Sequence, residues 1–209
     1  MKRFIAILPF SAQLRDVRYE SVDNDALSLD MYVKFPILPV IYAYAPRDSE
    51  PWAVDLIVTK GEDGARTGFL ADFRQELEAL CARERLRYPP VEPLYVPNDE
   101  SVRCEMRNLA ALLTRMGEDE LIYADITAGT KTLSNTLSMA LRGVPSLRRS
   151  SSVECVVYGQ FDRMTGENKI YDITALYRME RIVDLLGRSG DPDRALAALL
   201  EGLEAADGS

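Results

Sequence analysis

A strand, a tight turn and a helix follow one another without a break between Leu121 and Leu141, and no other stretch of the chain is as restrictive. Leu121-Ile122-Tyr123-Ala124 is an apolar run of the kind that forms a buried strand. It gives way to Asp125-Ile126-Thr127-Ala128-Gly129-Thr130-Lys131-Thr132, a hydroxyl-rich turn with one glycine and one lysine. Leu133, Leu137, Ala140 and Leu141 then recur at i, i+4, i+7 and i+8, the spacing of a helix with one buried face. The first-turn amides of such a helix have no intrahelical acceptor, and the positive end of its dipole points the same way. Lys131 adds a full charge there, and Thr127, Thr130 and Thr132 add hydroxyls. The turn is expected to hold phosphate groups.

The rest of the chain places that unit in a larger pattern. Residues 3–8, 52–59 and 91–96 read as strands, the last at a sheet edge because Pro93 cannot donate to a ladder. Residues 9–30 are polar and irregular, too long for an ordinary strand-to-helix loop, and are expected to be functional or mobile. Phe35 to Ala45 is apolar and expected to be helical after Pro39. Thr67 is a candidate cap for a helix reaching about Leu86, with Leu70, Phe73, Leu77, Leu80 and Cys81 inward. Asp99 or Ser101 starts another that Gly117 ends, with Val102, Met106, Leu109, Leu113 and Met116 along one face. Residues 146–152 read as a basic loop. Residues 153–161 and 169–173 read as a hairpin turning at Gly166. Two helices follow, marked by Leu176, Met179, Val183 and Leu186, then by Leu196, Leu199, Leu200 and Leu203.

Strands alternating with amphipathic helices predict an α/β fold: a Rossmann-like, mostly parallel sheet with helices on both faces, then a C-terminal hairpin and a short helical tail. Ligands of such sheets sit at the carboxyl ends of the strands. The segment after the first strand (Phe10 to Gln13) and the lysine turn both belong to that edge.

Composition removes whole classes of chemistry. The 209 residues contain no histidine, which excludes Ser-His-Asp and Cys-His catalysis and imidazole metal sites. Cys81, Cys104 and Cys155 lack CxxC spacing and are expected to be buried thiols. The net charge of −8 argues against a coat for long nucleic acid but leaves room for a small anion in a local basic pocket. No apolar run reaches the roughly 18 residues of a membrane span, and no signal-peptide pattern opens the chain, so a cytoplasmic protein is expected. No metal or cofactor is implied.

The stretch Asp125-Ile126-Thr127-Ala128-Gly129-Thr130-Lys131 resembles the D-x-T-x-G-T-K signature of CRISPR-associated Rossmann-fold (CARF) domains. Ile170-Tyr171-Asp172-Ile173-Thr174-Ala175-Leu176 resembles a segment near the end of that domain in one branch. The likeness covers residues 1–187 and leaves 188–209 as a helical tail. It implies a homodimer that binds a cyclic oligoadenylate, a second messenger of type III CRISPR antiviral defence, with the ring across the two-fold axis. It assigns ligand contacts to Thr127, Ala128, Gly129, Thr130 and Lys131, with a second wall from Phe10, Ser11, Ala12 and Gln13.

Some CARF proteins also cut the ring without metal, turning a ribose 2′-hydroxyl on its own phosphodiester. Positioning and charge stabilisation suffice for that chemistry, and Lys131 and Ser11 are the catalytic candidates. Others only sense the ring and signal to a partner effector, here through the C-terminal helices. Both versions are open. A HEPN ribonuclease motif, R-x(4–6)-H, cannot exist without histidine, and residues 188–209 are too few for a second catalytic domain.

Other patterns are weaker. A P-loop, G-x-x-x-x-G-K-[ST], is ruled out because position 124 is Ala and Thr130 precedes the lysine. Asp162, Glu167 and Lys169 have the residue types of a nuclease core but read as a charged hairpin tip. Asp125 is expected to brace its own turn through backbone N–H groups. Arg142, Arg148 and Arg149 are candidates for a basic rim, with a solvated loop the plainer reading.

Overall fold

The computed structural model describes residues 1–10, 15–60, 69–161, 167–188 and 190–207. Gly61 to Gly64, Thr67, Asp162 and Gly166 lie outside the described residues, as do Ser11, Ala12 and Gln13. By their contacts the residues form two compact units, Met1–Ile173 and Thr174–Ser209. The helix expected to close the first domain at 187 therefore groups with the tail.

The first unit is α/β. Its strands are β1 (Lys2–Ile7), β2 (Glu20–Ser21), β3 (Trp52–Lys60), β4 (Val91–Pro97), β5 (Leu121–Asp125), β6 (Ser152–Phe161) and β7 (Asn168–Asp172). They form one sheet in the order β2-β7-β6-β5-β1-β3-β4. The pairs β1–β3, β1–β5, β3–β4 and β5–β6 are parallel, and β7 runs antiparallel to β6. After β1 the chain forms β2 at the β7 edge, returns through helix α1 (Ile37–Tyr44) to β3 and β4 on one side of β1, then crosses to β5 on the other side. A crevice opens where neighbouring strands send their loops in opposite directions. Here it lies between the ends of β1 and β5, where Ala6 pairs with Asp125.

The helices are α1 (Ile37–Tyr44), α2 (Phe69–Glu84), α3 (Val102–Arg115) and α4 (Lys131–Leu147). Strand side chains alternate between faces. Phe4, Ala6 and Leu8 enter a core shared with Ile37, Leu38 and Ile41 of α1 and Phe73 and Leu77 of α2. Ile5 and Ile7 are buried on the other face, which α3 and α4 cover side by side. Helix α1 begins before Pro39 rather than after it. Proline is tolerated there because a helix's first N–H groups have no acceptor to lose. Helix α4 runs on through Pro145 to Leu147, past the expected start of the loop at 146.

The sequence reads 9–30 as functional or mobile; its described part, with the residues up to 35, is packed. Val17 and Val33 bridge antiparallel, and β2 pairs with β7 and extends the sheet. Tyr19, Leu27, Leu29, Val33 and Phe35 are buried. The apolar face expected of α3 is only partly its buried one. Cys104, Asn108 and Leu112 are the buried side chains of the helix, while Val102 is 80% and Met106 60% exposed.

At the amino ends of the strands a buried ion network joins β1, β3 and the entry to β5. Arg3 donates to both oxygens of Glu120 at 2.7 Å and to Asp55 at 2.5 Å. Its side chain is 13% exposed, and both carboxylates are 5% exposed. Arg115 bonds Asp55 from a second side at 3.3 Å. Burial pushes the Asp55 carboxyl above its usual value even with both guanidiniums beside it. Removing one member of such a cluster strands charge in the interior. Arg3→Met is expected to lower unfolding free energy by about 3–5 kcal/mol in urea titrations, whereas Glu92→Gln, at the exposed end, should change it by less than about 1 kcal/mol.

Candidate functional site

The lysine turn lies at the carboxyl end of β5, on the rim of the crevice. Asp125 is 2% exposed. Its Oδ1 accepts from the Thr127 N–H at 2.8 Å and from the Thr127 hydroxyl. The Ile37 backbone N–H, at the start of α1, also favours the charged form of this carboxylate. One buried carboxylate thus fixes the turn. Burial pushes its carboxyl up to about 6, against the lowering pull of these hydrogen bonds.

Three expected hydroxyl contacts are spent inside the protein. The Thr127 hydroxyl donates to Asp125 and accepts from the Gly159 N–H of β6 at 2.7 Å, so it clamps the turn to the neighbouring strand. Thr130 is the N-cap of α4 and accepts from the Leu133 N–H at 3.2 Å. Thr132 donates to Glu100, which precedes α3, at 2.7 Å. Ser134 donates to the Ala128 carbonyl at 3.0 Å. These bonds shape the turn.

What remains open is the backbone. Among the described residues, nothing accepts from the amides of Ala128, Gly129, Thr130, Lys131 and Thr132. Gly129 sits at φ +94°, which glycine adopts without strain. A Cβ there would lie 2.8 Å from Ile7 Cγ2. Gly129 and Lys131 are exposed, and Lys131 has no ion-pair or hydrogen-bond partner among the described residues. Successive free amides, a helix N-terminus and an unpaired ammonium form an anion cradle. Glu100 accepts from Thr132 at its rim.

Beside the cradle is a recess of about 20 Å³, room for roughly one water. Ala6 to Pro9 line it from β1 and its loop, and Asp125, Thr127 and Ala128 from the turn. Lys34, Phe35, Pro36 and Phe161 complete it, and none of these four was legible as a site residue. They arrive through the packing of the 15–35 segment and the end of β6, which no local motif marks. Lys34 bonds Asp72 at 3.1 Å, and that bond holds its ammonium above the usual value.

Phe10 is 40% exposed just past β1, on the edge expected of a second wall. The basic rim is not there. Arg148 donates to the Leu113 carbonyl at 3.1 Å, and Arg148 and Arg149 follow the far end of α4. That helix has 17 residues, which at 1.5 Å per residue is about 25 Å. Cys81, Cys104 and Cys155 are buried free thiols, as expected. No helix of the described residues is long and apolar enough to cross a membrane.

The sequence matches no known family model and no curated protein.

Two outcomes follow from this geometry. Gly129→Ala combines an unfavourable φ with a contact that Ile7 must yield to, and is expected to cost about 1–3 kcal/mol in thermal unfolding. The folded-state pKa of Asp125 is raised, so the folded protein holds this proton more tightly than the unfolded chain between about pH 4 and 6. Its contribution to stability falls as pH rises through that window. The stability of wild type relative to Asp125→Asn should therefore drop by about 2–3 kcal/mol from pH 4 to pH 7 and stay level above it. Urea titrations across pH test this, and a flat difference would contradict it.

Proposed function

We propose that this protein binds a cyclic oligoadenylate as a homodimer, in the cytoplasm, as part of type III CRISPR antiviral defence. One observation carries the reading: five amides and Lys131, all without a partner among the described residues, follow one another at the switch point of a Rossmann-like sheet. A ring of phosphodiesters presents the repeated anionic groups such a cradle suits. The likeness of residues 125–131 to the CARF signature selects this ligand among phosphate compounds. Thr127 and Thr130 enter as residues that shape the cradle. Phe10 belongs to the opposite wall; Ser11, Ala12 and Gln13, assigned there by the resemblance, lie outside the described residues.

Two versions share this site. In one, the cradle positions a phosphodiester for attack by the adjacent ribose 2′-hydroxyl, which expels the 5′-oxygen and leaves a 2′,3′-cyclic phosphate, with Lys131 stabilising the developing charge and Ser11 as the second catalytic candidate. In the other, the protein holds the ring intact and passes the signal to an effector. Incubation with cyclic tetra- and hexa-adenylate in EDTA separates them. Linear products that disappear in Lys131→Ala identify a ring nuclease, and binding without products identifies a sensor. Neither binding nor products would retire both.

Within this reading Lys131→Ala should weaken binding about tenfold or more, the scale of a lost charged hydrogen bond. Glu100→Gln should strengthen it by a few fold at low salt, because it removes the carboxylate at the mouth of the α4 amides. Calorimetric titration of both variants checks the two directions, and weaker binding by Glu100→Gln would speak against phosphate at that helix end.

A further inference from the structure

Asp125 is a buried acid with no opposite charge beside it. At the other end of the sheet Asp55 and Glu120 each have a guanidinium within 2.7 Å. Asp125 has the neutral donors of Thr127 on its Oδ1, and no cation pairs with it among the described residues. Its neighbours do not make up the difference. From the 15–35 segment comes Tyr19, a buried phenol whose ionisation is pushed up by burial first and then by the charges of Asp125 and Glu76. Lys34 lines the same recess, but its ammonium bonds Asp72 at 3.1 Å and lies 3.8 Å from Glu76, both on α2. Burial raises the Glu76 carboxyl too, and Asp16 adds negative charge near it. Strands β1 and β6 set Ala6 and Val157 beside Asp125, and α1 offers the Ile37 N–H. On the exposed side stand Lys131 and, bonded to Thr132, Glu100. Ala128, the first free amide of the cradle, follows Asp125 by three residues, so a bound anion and the carboxylate stand on the order of 10 Å apart.

We propose that anion binding at the cradle is coupled to a proton on Asp125: an occupied cradle favours the neutral carboxyl, and the neutral carboxyl favours an occupied cradle. Two negative charges at that separation, with protein between them, repel by an amount worth roughly tenfold in affinity. The proton removes the repulsion and keeps the turn. A neutral carboxyl still accepts from the Thr127 amide and hydroxyl on Oδ1 while Oδ2 carries the proton. The two effects are reciprocal, so a tenfold gain in affinity equals a rise of about one unit in the Asp125 pKa on binding. The free carboxyl ionises at about 6, and binding therefore strengthens as pH falls from 8 to 5. Imidazole, the usual group that titrates in that range, cannot supply the effect, because the chain has no histidine. The identity of the ligand as a ring rests on the function proposed above, whereas the coupling needs only an anion in the cradle.

Sulfate and the ring phosphodiesters keep their charge across this range, so both serve as probes. In ¹³C-labelled protein at constant ionic strength, the Asp125 carboxyl should titrate about one unit higher with saturating sulfate than without it. By calorimetry, cyclic tetra- or hexa-adenylate should bind wild type roughly eightfold more tightly at pH 5 than at pH 8. Asp125→Asn keeps an acceptor for Thr127 and carries no charge. It should bind the ring at pH 8 about as tightly as wild type does at pH 5, with no dependence on pH. Glu76→Gln should keep the wild-type dependence. If Asp125→Asn does not fold, the wild-type carboxyl titration decides alone. A carboxyl that sulfate and both rings leave unmoved, or a pH dependence that survives in Asp125→Asn, would overturn the proposal. A ring that binds equally at both pH values would overturn it and leave the ligand reading standing. A shift with sulfate but no binding of either ring would retire the ligand reading and leave the coupling in place.

Discussion

The open conformation of the lysine turn depends on one buried carboxylate. Asp125 draws in the Thr127 amide and hydroxyl. Thr127 then reaches across to Gly159 and locks the turn to β6. Because these inner hydrogen bonds are made by side chains, the five amides that follow are left facing outward with nothing to bind. The carboxyl's raised pKa measures what it costs to hold a charge at that depth. Functional sites often carry such a group, since a rigid cradle needs an anchor that water cannot reach.

The two ends of the sheet do different work. At the amino ends, Arg3, Asp55, Glu120 and Arg115 satisfy one another, and little charge is left for a ligand. At the carboxyl ends the polar groups are backbone amides and Lys131, unpaired among the described residues. The difference follows from topology. Strands β1 and β5 are neighbours whose loops diverge, and at that corner the amides of the turn have no acceptor among the described residues.

The sequence was readable where interactions are local and silent where they are not. The turn from Asp125 to Thr132 was legible because strand, glycine, cap and lysine sit within a few residues. The roles of its hydroxyls were not, because Thr127 spends its own on Gly159 and Thr132 on Glu100, each 32 residues away in the chain. The periodicity of α3 showed an apolar stripe correctly, but periodicity cannot say whether a stripe faces the sheet or solvent. That depended on how α3 lies beside α4. The 15–35 segment looked polar because its buried residues, Tyr19, Leu27, Leu29 and Val33, follow no regular period. Lys34, Phe35 and Pro36 reach the recess only through that packing.

The most direct test of the central claim follows individual backbone amides while ligand is added. In a ¹⁵N-resolved titration with cyclic tetra-adenylate and cyclic hexa-adenylate, the account predicts that the amides of Ala128 to Thr132 shift strongly and saturably with at least one ring. The Thr127 amide, already bonded to Asp125, should move far less. Saturable binding that leaves residues 128–132 unperturbed would contradict it.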